Sequence, residues 1–543
     1  MRRQRGSTSV YALLGISVVM VVSIGTAGLA LGTVSRAQQD SRNAIAFNAA
    51  QAGLEYEIGQ TFRRLQTGAL MSSTTTDRST VLNEIAPGCT ATTIVQPVGS
   101  TSNAWITSTV TVAGRSKSVR TLIRAKDLGI WNNAIFAGTG ASGRAINGNV
   151  DIRGSVHLLG DGEEYTDVNL NGVWDPAEAY TDRNQNGVWD PGEAFTDRNG
   201  DRTWNNQEPY NDTNLNGVYD DPIQSTEMNS SFSGNAYIGN NYEGISSTLL
   251  ALAPAPPSIN GQETLNAEVR VKRGQISIQG SASIGESTNT SSDKMTLDGV
   301  YVNDGFTGSR GSSGVFSDNG ASNAYDVDAL GIEFPEIVGI GADPYTADDG
   351  SQWTTHDAFL QARSLTVPIT SITSGTSSFN YGPDAHGNSI RWTQGNPGTL
   401  QVNGIIRING SIQLGSKDVI RYTGSGTIFA EQNINIDGDV LPASGQLFPT
   451  SARMGFIAKR NINLATGNGS SQISMAGAFY AQGSIVSARQ NQILGTFVAN
   501  YFDMGQNVPK IYQVPSLPQN MPPGMPGKKA IVSLKLRSWR ERQ

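Results

Sequence analysis

The fold of this chain is decided by a short motif that recurs between about residues 131 and 510. Three copies are Ile406-Arg407-Ile408-Asn409-Gly410-Ser411-Ile412, Asn433-Ile434-Asn435-Ile436-Asp437-Gly438 and Asn461-Ile462-Asn463-Leu464. Alternating aliphatic residues put one face of a strand inward, and Gly or Asn tolerates the left-handed backbone of a corner. Ile406, Ile434 and Ile462 recur at equal intervals, whereas the interval from Gly477 to Gly495 is shorter. The pattern therefore predicts stacked rungs of unequal length.

A right-handed β-solenoid over residues 131–160 and 222–510 is the architecture that this pattern favours, with a pair of β-sandwiches as the alternative. The predicted fold class is mainly β. Many β-helices degrade carbohydrates, and that chemistry needs convergent acids, or an arginine base beside acidic ligands. No short motif marks such a group of residues, so we predict that the protein is not an enzyme.

Composition restricts the possible metal sites. The 543 residues include one cysteine and three histidines that lie far apart, which excludes a disulfide framework and a Cys or His metal centre. Acidic charge is concentrated in residues 161–221, where 15 Asp and Glu accompany 3 Lys and Arg, a net charge of −12. The rest of the chain has 36 basic and 31 acidic residues, a net charge of +5.

The acidic segment is a tandem repeat whose four copies begin at the equally spaced residues Asp167, Asp182, Asp197 and Asp212. Each copy resembles the twelve-residue calcium loop, with side-chain oxygens at positions 1, 3, 5 and 9, Gly at position 6, a backbone carbonyl at 7 and Glu at 12. Loop one offers Asp167, Asn169, Asn171, Val173, Asp175 and Glu178, and loop two offers Asp182, Asn184, Asn186, Val188, Asp190 and Glu193. Loop three offers Asp197, Asn199, Asp201, Thr203, Asn205 and Glu208, and loop four offers Asp212, Asn214, Asn216, Val218 and Asp220.

Two loops depart from the consensus, since Arg202 replaces the glycine of loop three and Ile223 replaces the glutamate of loop four. Only three residues separate successive loops, which leaves no room for the helices of an EF-hand. Trp174, Trp189, Trp204 and Tyr219 recur at position 8 and are predicted to stack as an apolar spine. We predict up to four Ca²⁺ ions that supply most of the folding energy of residues 161–221. The alternative is an Asx-rich turn repeat without an ion.

The N-terminus reads as a membrane segment. Arg2, Arg3 and Arg5 precede Gly6, and an uncharged apolar run follows from Val10 to Val34. This run exceeds the length of about 20 residues that spans a bilayer as a helix. The arginines predict a cytoplasmic N-terminus. Helical spacing continues through Phe47, Ala50, Leu54, Ile58, Phe62 and Leu65, so one helix is expected over residues 7–66. A secretory signal cleaved after Gly28-Leu29-Ala30 is the alternative.

The stretch Ala46-Phe47-Asn48-Ala49-Ala50-Gln51-Ala52-Gly53-Leu54-Glu55, after a basic leader ending in Gly, resembles the type IV pilin superfamily and its PilX-type minor pilins. The resemblance implies a leader over residues 1–6, removed by a prepilin peptidase between Gly6 and Ser7. It also implies an inner-membrane protein that then passes to the periplasm or cell surface within a pilus, with other pilins and the assembly machinery as partners. Most pilins have Glu where this chain has Tyr11, a departure that suits a tip or priming subunit.

A small α+β head is predicted to follow the helix, over residues 67–130. Thr-, Val- and Ile-rich runs at 91–95, 105–112 and 118–124 are typical of short antiparallel strands. Residues 511–527 are proline-rich and read as a linker. Residues 528–543 alternate apolar and basic side chains, and we expect 530–538 to return to the head as a further strand. The alternative is a basic tail that binds nucleic acid or lipid.

Together these features resemble the large solenoid-bearing, ComZ-like minor pilins of the competence type. The implied function is a structural or binding subunit near a pilus tip, which displays a calcium-stabilised solenoid for DNA capture or surface adhesion. One alternative is a membrane-anchored, calcium-dependent protein that binds or degrades polysaccharide, with a surface glycan as its ligand. Another is a passive envelope protein without a link to a pilus.

Overall fold

A computed structural model describes the chain over the following ranges: residues 34–66, 71–98, 100–140, 151–160, 165–169, 174–197, 202–210, 219, 237–259, 261–287, 292–327, 330–338, 344–503, 509–527 and 531–542. The described residues fall into two compact units. The head unit takes its residues from Met1–Leu65, Ala69–Ala125 and Leu534–Gln543, and the inserted unit takes most of its residues from Lys126–Ser533. The predicted leader, Gly6, Ser7 and the apolar run up to residue 33 lie outside the described ranges.

Strands are the commonest regular element in the described part of the chain. The helices are α1 (Val34–Gln66), α2 (Ser79–Leu82), α3 (Ser247–Leu250) and α4 (His356–Arg363). The strands are β1 (Thr74–Asp77), β2 (Thr90–Val98), β3 (Ser100–Val112), β4 (Arg115–Asp127), β5 (Ile135–Gly140), β6 (Asp151–Arg153), β7 (Val156–Leu158), β8 (Tyr237–Gly239), β9 (Ser258–Ile259), β10 (Gln262–Glu263), β11 (Glu268–Val271), β12 (Ile276–Ser277), β13 (Ser283–Ile284), β14 (Gly299–Val302), β15 (Phe306–Thr307), β16 (Ala321–Ser322), β17 (Tyr345–Thr346), β18 (Gln352–Trp353), β19 (Leu365–Val367), β20 (Ser371–Ile372), β21 (Phe379–Tyr381), β22 (Ser389–Thr393), β23 (Gly398–Ile408), β24 (Ile412–Leu414), β25 (Val419–Thr423), β26 (Ser425–Ala430), β27 (Ile434–Ile436), β28 (Asp439–Pro442), β29 (Arg453–Ala458), β30 (Ile462–Leu464), β31 (Ser474–Ser487), β32 (Gln492–Asp503), β33 (Lys510–Tyr512) and β34 (Val532–Arg542).

The head unit packs α1 on a five-stranded sheet of order β1-β2-β3-β4-β34. The pairs β1–β2, β2–β3 and β3–β4 are antiparallel. The strand expected over residues 530–538 spans 532–542 here and lies at the edge of the sheet beside β4. Thr121 Oγ1 donates a hydrogen bond of 2.6 Å to the carbonyl of Ser538 across this pair.

The C-terminal strand hides less apolar surface than its sequence pattern suggests. Val532 is buried and Leu534 is half-buried, but Leu536 is 63% exposed. Because β34 is an edge strand, one of its sides has no neighbouring strand in the sheet to cover it. The structure thus places the strand in the sheet but leaves Leu536 in solvent.

The residues that α1 buries are only partly those that the helical spacing predicted. Ala46, Ala50, Leu54 and Thr61 are buried, whereas Phe47, Ile58, Phe62 and Leu65 are only half-buried. Small residues allow the helix backbone to approach the sheet closely. A Cβ added at Gly53 would lie 2.6 Å from Ser108 Oγ of β3. Close packing, rather than the bulk of the large side chains, therefore selects the buried stripe.

A buried carboxylate ties the helix to the rest of the head, which sequence reasoning did not identify. Glu57 is fully buried, and its Oε1 accepts from Arg64 at 2.9 Å within α1. Its Oε2 accepts from Arg78 at 2.5 Å and from Thr93 Oγ1 of β2 at 2.8 Å. Removing one partner of such a pair leaves a buried charge uncompensated, so this contact fixes the register of helix on sheet.

Parallel strands stack along the length of the inserted unit. One series pairs in the order β19, β23, β26, β29, β31, β32, β5, β7, β11, β14 and β16, and all of these pairs are parallel. A second series runs β20, β24, β27, β30 and the end of β31. The aliphatic residues of these strands, among them Ile434, Ile436, Ile462 and Leu464, are fully buried.

The register of the stack shows unequal rungs, as the irregular period predicted. Ile434 pairs with Ile462 at the predicted interval. Ile406 does not belong to that series, because it pairs with Ile428, which precedes Ile434 in the chain. Gly477 pairs with Gly495 at the shorter interval, and a Cβ at Gly495 would lie only 1.9 Å from the carbonyl oxygen of Gly477. At this pair the two backbones approach so closely that Gly495 has no room for a side chain.

The order of the rungs differs from the order of the chain. The inserted unit begins in the middle of the stack at β5 and proceeds outward to β16. The chain then returns to the opposite end, resumes at β19, and proceeds inward until β32 pairs with β5, where Phe497 lies opposite Ile135. Early and late strands of the inserted unit are therefore neighbours. For this reason the unit can be inserted in the chain between β4 and β34, which are adjacent strands of the head sheet.

Part of the segment between β16 and β19, which takes the chain to the opposite end of the stack, lies against the stacked strands. Phe334 stacks on Tyr480 with ring centroids 5.6 Å apart, and the Tyr480 hydroxyl donates to the carbonyl of Pro335 at 2.7 Å. Ile337 N donates to Gln482 Oε1 at 2.9 Å. These contacts satisfy polar groups that would otherwise be buried without partners.

The proline-rich segment is packed rather than a free linker. Leu517, Met521 and Met525 are buried in the same core as the rungs. Thr427 Oγ1 of β26 donates to the carbonyl of Pro523 at 2.5 Å. The predicted linker over residues 511–527 therefore needs correction: Lys510–Tyr512 is a rung, and the residues after it cover the stack with apolar side chains that a solvated linker would expose.

An antiparallel addition interrupts the parallel pattern. β21 pairs with β22 and β22 with β23, all antiparallel. Three separate two-stranded pairs, β9–β10, β12–β15 and β17–β18, lie outside the large sheet. Among the described helices, none is both long and apolar enough to cross a membrane.

Two buried histidines make the inserted unit sensitive to acid. Burial lowers the pKa of His157 to about 3 and that of His356 to about 4. Because both stay neutral when folded but bind protons near pH 6.5 when unfolded, stability is full above that pH and falls as the pH drops towards 4. Each histidine is expected to cost about 2 kcal/mol at pH 5. Urea unfolding at pH 7.5 and 5 measures this, and His356→Gln should reduce the difference. Equal pH dependence in the variant would contradict it.

Candidate metal site

The acidic repeat lies within the inserted unit, and the structure describes most of loops one to three. Asp167, Asn169, Asp175, Glu178, Asp182, Asn184, Asn186, Val188, Asp190, Glu193, Asp197, Thr203, Asn205 and Glu208 are among the described residues. Asn171, Val173, Asn199, Asp201, Asp212, Asn214, Asn216, Val218 and Asp220 fall outside them. The geometry below therefore concerns loops one to three, with loop two complete.

Loop two wraps its predicted ligands around one point. Asn184 Nδ2 and Asn186 Nδ2 both donate to Asp190 Oδ2, at 2.6 and 2.8 Å. Gly187 N donates to Asp182 Oδ2 at 2.8 Å, and Val188 N donates to Asn186 Oδ1 at 2.9 Å. The side chains of positions 1, 3, 5 and 9 thus converge, as the twelve-residue calcium loop requires.

Loop three keeps this turn although it lacks the glycine. Arg202 has a φ of 64°, close to the 77° of Gly187 at the same position of loop two. Its N–H donates to Asp197 Oδ2 at 2.9 Å, the equivalent of the contact from Gly187 to Asp182. A non-glycine residue in the left-handed region is strained by about 1 kcal/mol. The substitution therefore adds strain at position 6 of loop three while the backbone there keeps its left-handed conformation and its contact with Asp197.

Replacing Arg202 by Gly should stabilise loop three. The variant relieves the left-handed strain and should raise the calcium affinity of this loop by about fivefold, the equivalent of about 1 kcal/mol. Calorimetric calcium titration of the purified chain tests the expectation. Arg183→Gly, at an exposed position of loop two with no positive φ, is the matched control that removes the same charge. An equal gain in both variants would show that charge, not backbone strain, limits affinity.

The glutamates at position 12 are the most buried acids of the array. Glu178, Glu193 and Glu208 are 4, 9 and 5% exposed. Glu193 closes its own loop: its carboxylate accepts from Arg183 N at 2.7 Å and from Asp190 N at 3.0 Å. The described carboxylate contacts of the other two glutamates lie outside the loops to which the sequence assigned them. Glu208 lies against loop one, and Glu178 lies against loop three.

Aromatic residues join the loops in pairs rather than in one spine. Trp189 stacks on Trp204 with centroids 5.3 Å apart, and Trp174 stacks on Tyr219 at 4.4 Å. Two isolated antiparallel bridges, Tyr180 with Phe195 and Tyr165 with Tyr210, place further rings edge-on against these stacks. The predicted stacking of position 8 is present, but it forms two separate clusters.

The donor set suits a hard cation. Its predicted donors are carboxylate, amide and carbonyl oxygens, which Ca²⁺ prefers. Burial is the main cause that raises the pKa of Tyr180, and the charges of Asp182, Glu193 and Asp190 beside it raise that pKa further. No group of three or more His, Cys, Asp or Glu side chains in the described ranges meets the arrangement expected of a metal centre. Loop two mixes its acids with two asparagines, so an ion in this loop would be held by amides as well as carboxylates.

Comparisons with known proteins identify the fold. No protein-family profile matches the chain, and no curated protein sequence matches it either. The solved structure of the competence-associated pilin ComZ from Thermus thermophilus matches with a TM-score of 0.52 at 18% identity, covering 92% of this chain and 98% of that one. The chain has a ComZ-like pilin fold. The match confirms the predicted ComZ-like resemblance and the mainly β class with an N-terminal helix and a large β-rich region. The acidic repeat belongs to the inserted unit of this fold, not to the head.

Proposed function

We propose that the protein is a structural, pilin-like subunit of a type IV or competence pilus, near its tip, and not an enzyme. The ComZ-like fold across nearly the whole chain is the observation that carries this proposal. The head unit provides the helix-on-sheet arrangement of a pilin, and the inserted unit provides a large surface. Other pilins, the assembly machinery and a prepilin peptidase are the partners, and the protein passes from the inner membrane to the cell surface.

Processing tests the proposal at its N-terminus. We expect the mature protein to begin at Ser7, because cleavage after Gly6 removes the arginines and retains the apolar helix. N-terminal sequencing of protein purified from membranes of the producing bacterium measures this. Gly6→Asp is expected to block cleavage, and Arg5→Gln, one residue away, serves as the control. A start near Leu31 would instead establish a secretory signal and contradict the proposal.

Calcium in this proposal stabilises the displayed surface rather than reporting a signal. Loops one to three provide oxygen donors in calcium-loop order, and three residues separate neighbouring loops, too few for the helices that an EF-hand sensor reorients. When bound, the ion would supply the attraction that holds like-charged loops together. Asp182, Asn184, Asn186, Asp190 and Glu193 would hold it in loop two, and extracellular calcium at millimolar concentration fills even weak sites of this kind.

We propose DNA as the ligand of the head unit, because of its cationic side chains. Arg120 and Arg124 alternate along β4 with the buried residues Val119 and Ile123, so both lie on the face of the sheet opposite α1. The guanidinium of Arg120 lies 4.4 Å above the ring of Trp105. Cationic side chains beside an aromatic ring suit a phosphate backbone with adjacent bases.

A binding assay distinguishes DNA from polysaccharide as the ligand. The Arg120→Gln/Arg124→Gln double variant should weaken DNA binding and reduce its dependence on salt by about two ions. Arg391→Gln/Lys417→Gln removes two exposed charges from the inserted unit and is the matched control. Turnover or binding of a polysaccharide without DNA binding would favour the glycan alternative and contradict the DNA proposal.

A further inference from the structure

We infer that loops one and three complete each other's calcium sites: Glu208 belongs to the site of loop one and Glu178 to the site of loop three. Loop two alone is self-contained and uses its own Glu193. This inference rests on the proposed calcium role of the array and assigns its ligands differently from the linear repeat.

Loop two defines the contacts that a closing glutamate makes. The Glu193 carboxylate accepts from the backbone N–H of positions 2 and 9, which are Arg183 and Asp190, at 2.7 and 3.0 Å. Glu193 N donates to the carbonyl of Asp190 at 3.0 Å, and Trp189 Nε1 donates to the carbonyl of Glu193 at 3.4 Å. These four contacts hold the carboxylate beside the converging ligands.

Glu208 makes the same four contacts with loop one. Its carboxylate accepts from Val168 N at 2.7 Å and from Asp175 N at 3.1 Å, the second and ninth positions of that loop. Glu208 N donates to the carbonyl of Asp175 at 3.0 Å, and Trp174 Nε1 donates to the carbonyl of Glu208 at 2.9 Å. Loop one therefore receives its glutamate from loop three.

Glu178 makes the reciprocal contacts with loop three. Its carboxylate accepts from Asn205 N at 3.1 Å, and its own N–H donates to the carbonyl of Asn205 at 3.0 Å. Trp204 Nε1 donates to the carbonyl of Glu178 at 2.8 Å. These are three of the four contacts that Glu193 makes in loop two, and the fourth donor, residue 198, lies outside the described ranges.

The two antiparallel bridges explain the exchange. Each glutamate precedes an aromatic bridge residue by two positions: Glu178 precedes Tyr180, Glu193 precedes Phe195, and Glu208 precedes Tyr210. The Tyr180–Phe195 bridge brings Glu193 to loop two, which begins two residues after Tyr180. The same bridge brings Glu178 to loop three, which begins two residues after Phe195. The Tyr165–Tyr210 bridge likewise brings Glu208 to loop one, which begins two residues after Tyr165.

Terbium luminescence excited through tryptophan can report each loop separately in the full chain. A reporter with Trp189→Phe and Trp204→Phe keeps Trp174 of loop one, and a reporter with Trp174→Phe and Trp189→Phe keeps Trp204 of loop three. Glu208→Gln should reduce terbium affinity at least about tenfold in the Trp174 reporter, with a smaller loss in the Trp204 reporter. Glu178→Gln should do the reverse.

The outcomes separate this inference from the calcium proposal itself. If Glu178→Gln has its larger effect in the Trp174 reporter, each loop uses its own glutamate, and the exchange is wrong while the calcium proposal stands. Equal losses in both reporters would also overturn the exchange. If neither the reporters with intact glutamates nor the unmodified chain binds terbium or calcium, the calcium proposal itself fails.

Discussion

Removal of calcium should unfold residues 161–221 while the parallel stack stays intact. The segment has a net charge of −12, and two small aromatic clusters are its apolar core in the described residues. Mutual repulsion of the carboxylates then exceeds the attraction that the rings supply, since burying a few aromatic pairs contributes only a few kcal/mol. On the proposed calcium role, the free energy of calcium binding would then supply most of the free energy of folding for this segment.

Limited proteolysis in millimolar calcium and in chelator measures the effect. We expect cleavage between residues 161 and 221 only in chelator, with fragments on either side that remain resistant. Loop two should stay protected to the lowest calcium concentration, because it closes with its own glutamate. Asp182→Asn/Asp190→Asn lowers the repulsion but also removes two of the predicted carboxylate ligands, so calcium should no longer protect loop two in this variant. Equal resistance of the unmodified chain in calcium and chelator would contradict the account.

Deletion of residues 531–543 should destabilise the head unit by at least about 3 kcal/mol. The deletion removes β34 and exposes the edge of β4, including Thr121, which donates to Ser538 in the intact chain. Loss of the backbone pairing and side-chain burial of a whole strand exceeds the effect of any ordinary point substitution. Hydrogen exchange of peptides from the head, measured by mass spectrometry over a denaturant series, gives the change.

A point variant on the same strand is the control for this deletion. Leu536 is 63% exposed, so Leu536→Ser should change the stability of the head by no more than about 0.5 kcal/mol. If the shortened chain keeps its head stability and loses only DNA or lipid binding, residues 531–543 act as a binding arm and the strand assignment is wrong.

The rung motif could be read from the sequence, but the order of the rungs could not. Alternation shows which residues face the core, and equal spacing pairs Ile434 with Ile462. Spacing contains no information on a pair such as Ile135 with Phe497, which lie near the beginning and the end of the inserted unit in sequence. Ends of an insertion must meet for the surrounding sheet to close, and that requirement acts through tertiary structure rather than local pattern.

The metal array shows the same limit at smaller scale. Oxygen donors at positions 1, 3, 5 and 9 follow from the repeat, because one loop supplies all of them. Position 12 could not be placed from one loop, since the Glu208 carboxylate accepts from a backbone N–H of loop one and the Glu178 carboxylate from one of loop three, across bridges between strands. A signal was present in the register: Glu163 recurs with the same period as the other three glutamates although no calcium loop precedes it.

Incorporation into a pilus tests the central claim most directly. Surface fibres sheared from the producing bacterium, purified and analysed by mass spectrometry, should contain this protein in small amounts with a mature N-terminus at Ser7. Strains without the prepilin peptidase should lose it from the fibres and accumulate the unprocessed chain in the membrane. Fibres that contain the other pilins but never this protein, in cells that produce it, would contradict a pilin-like role.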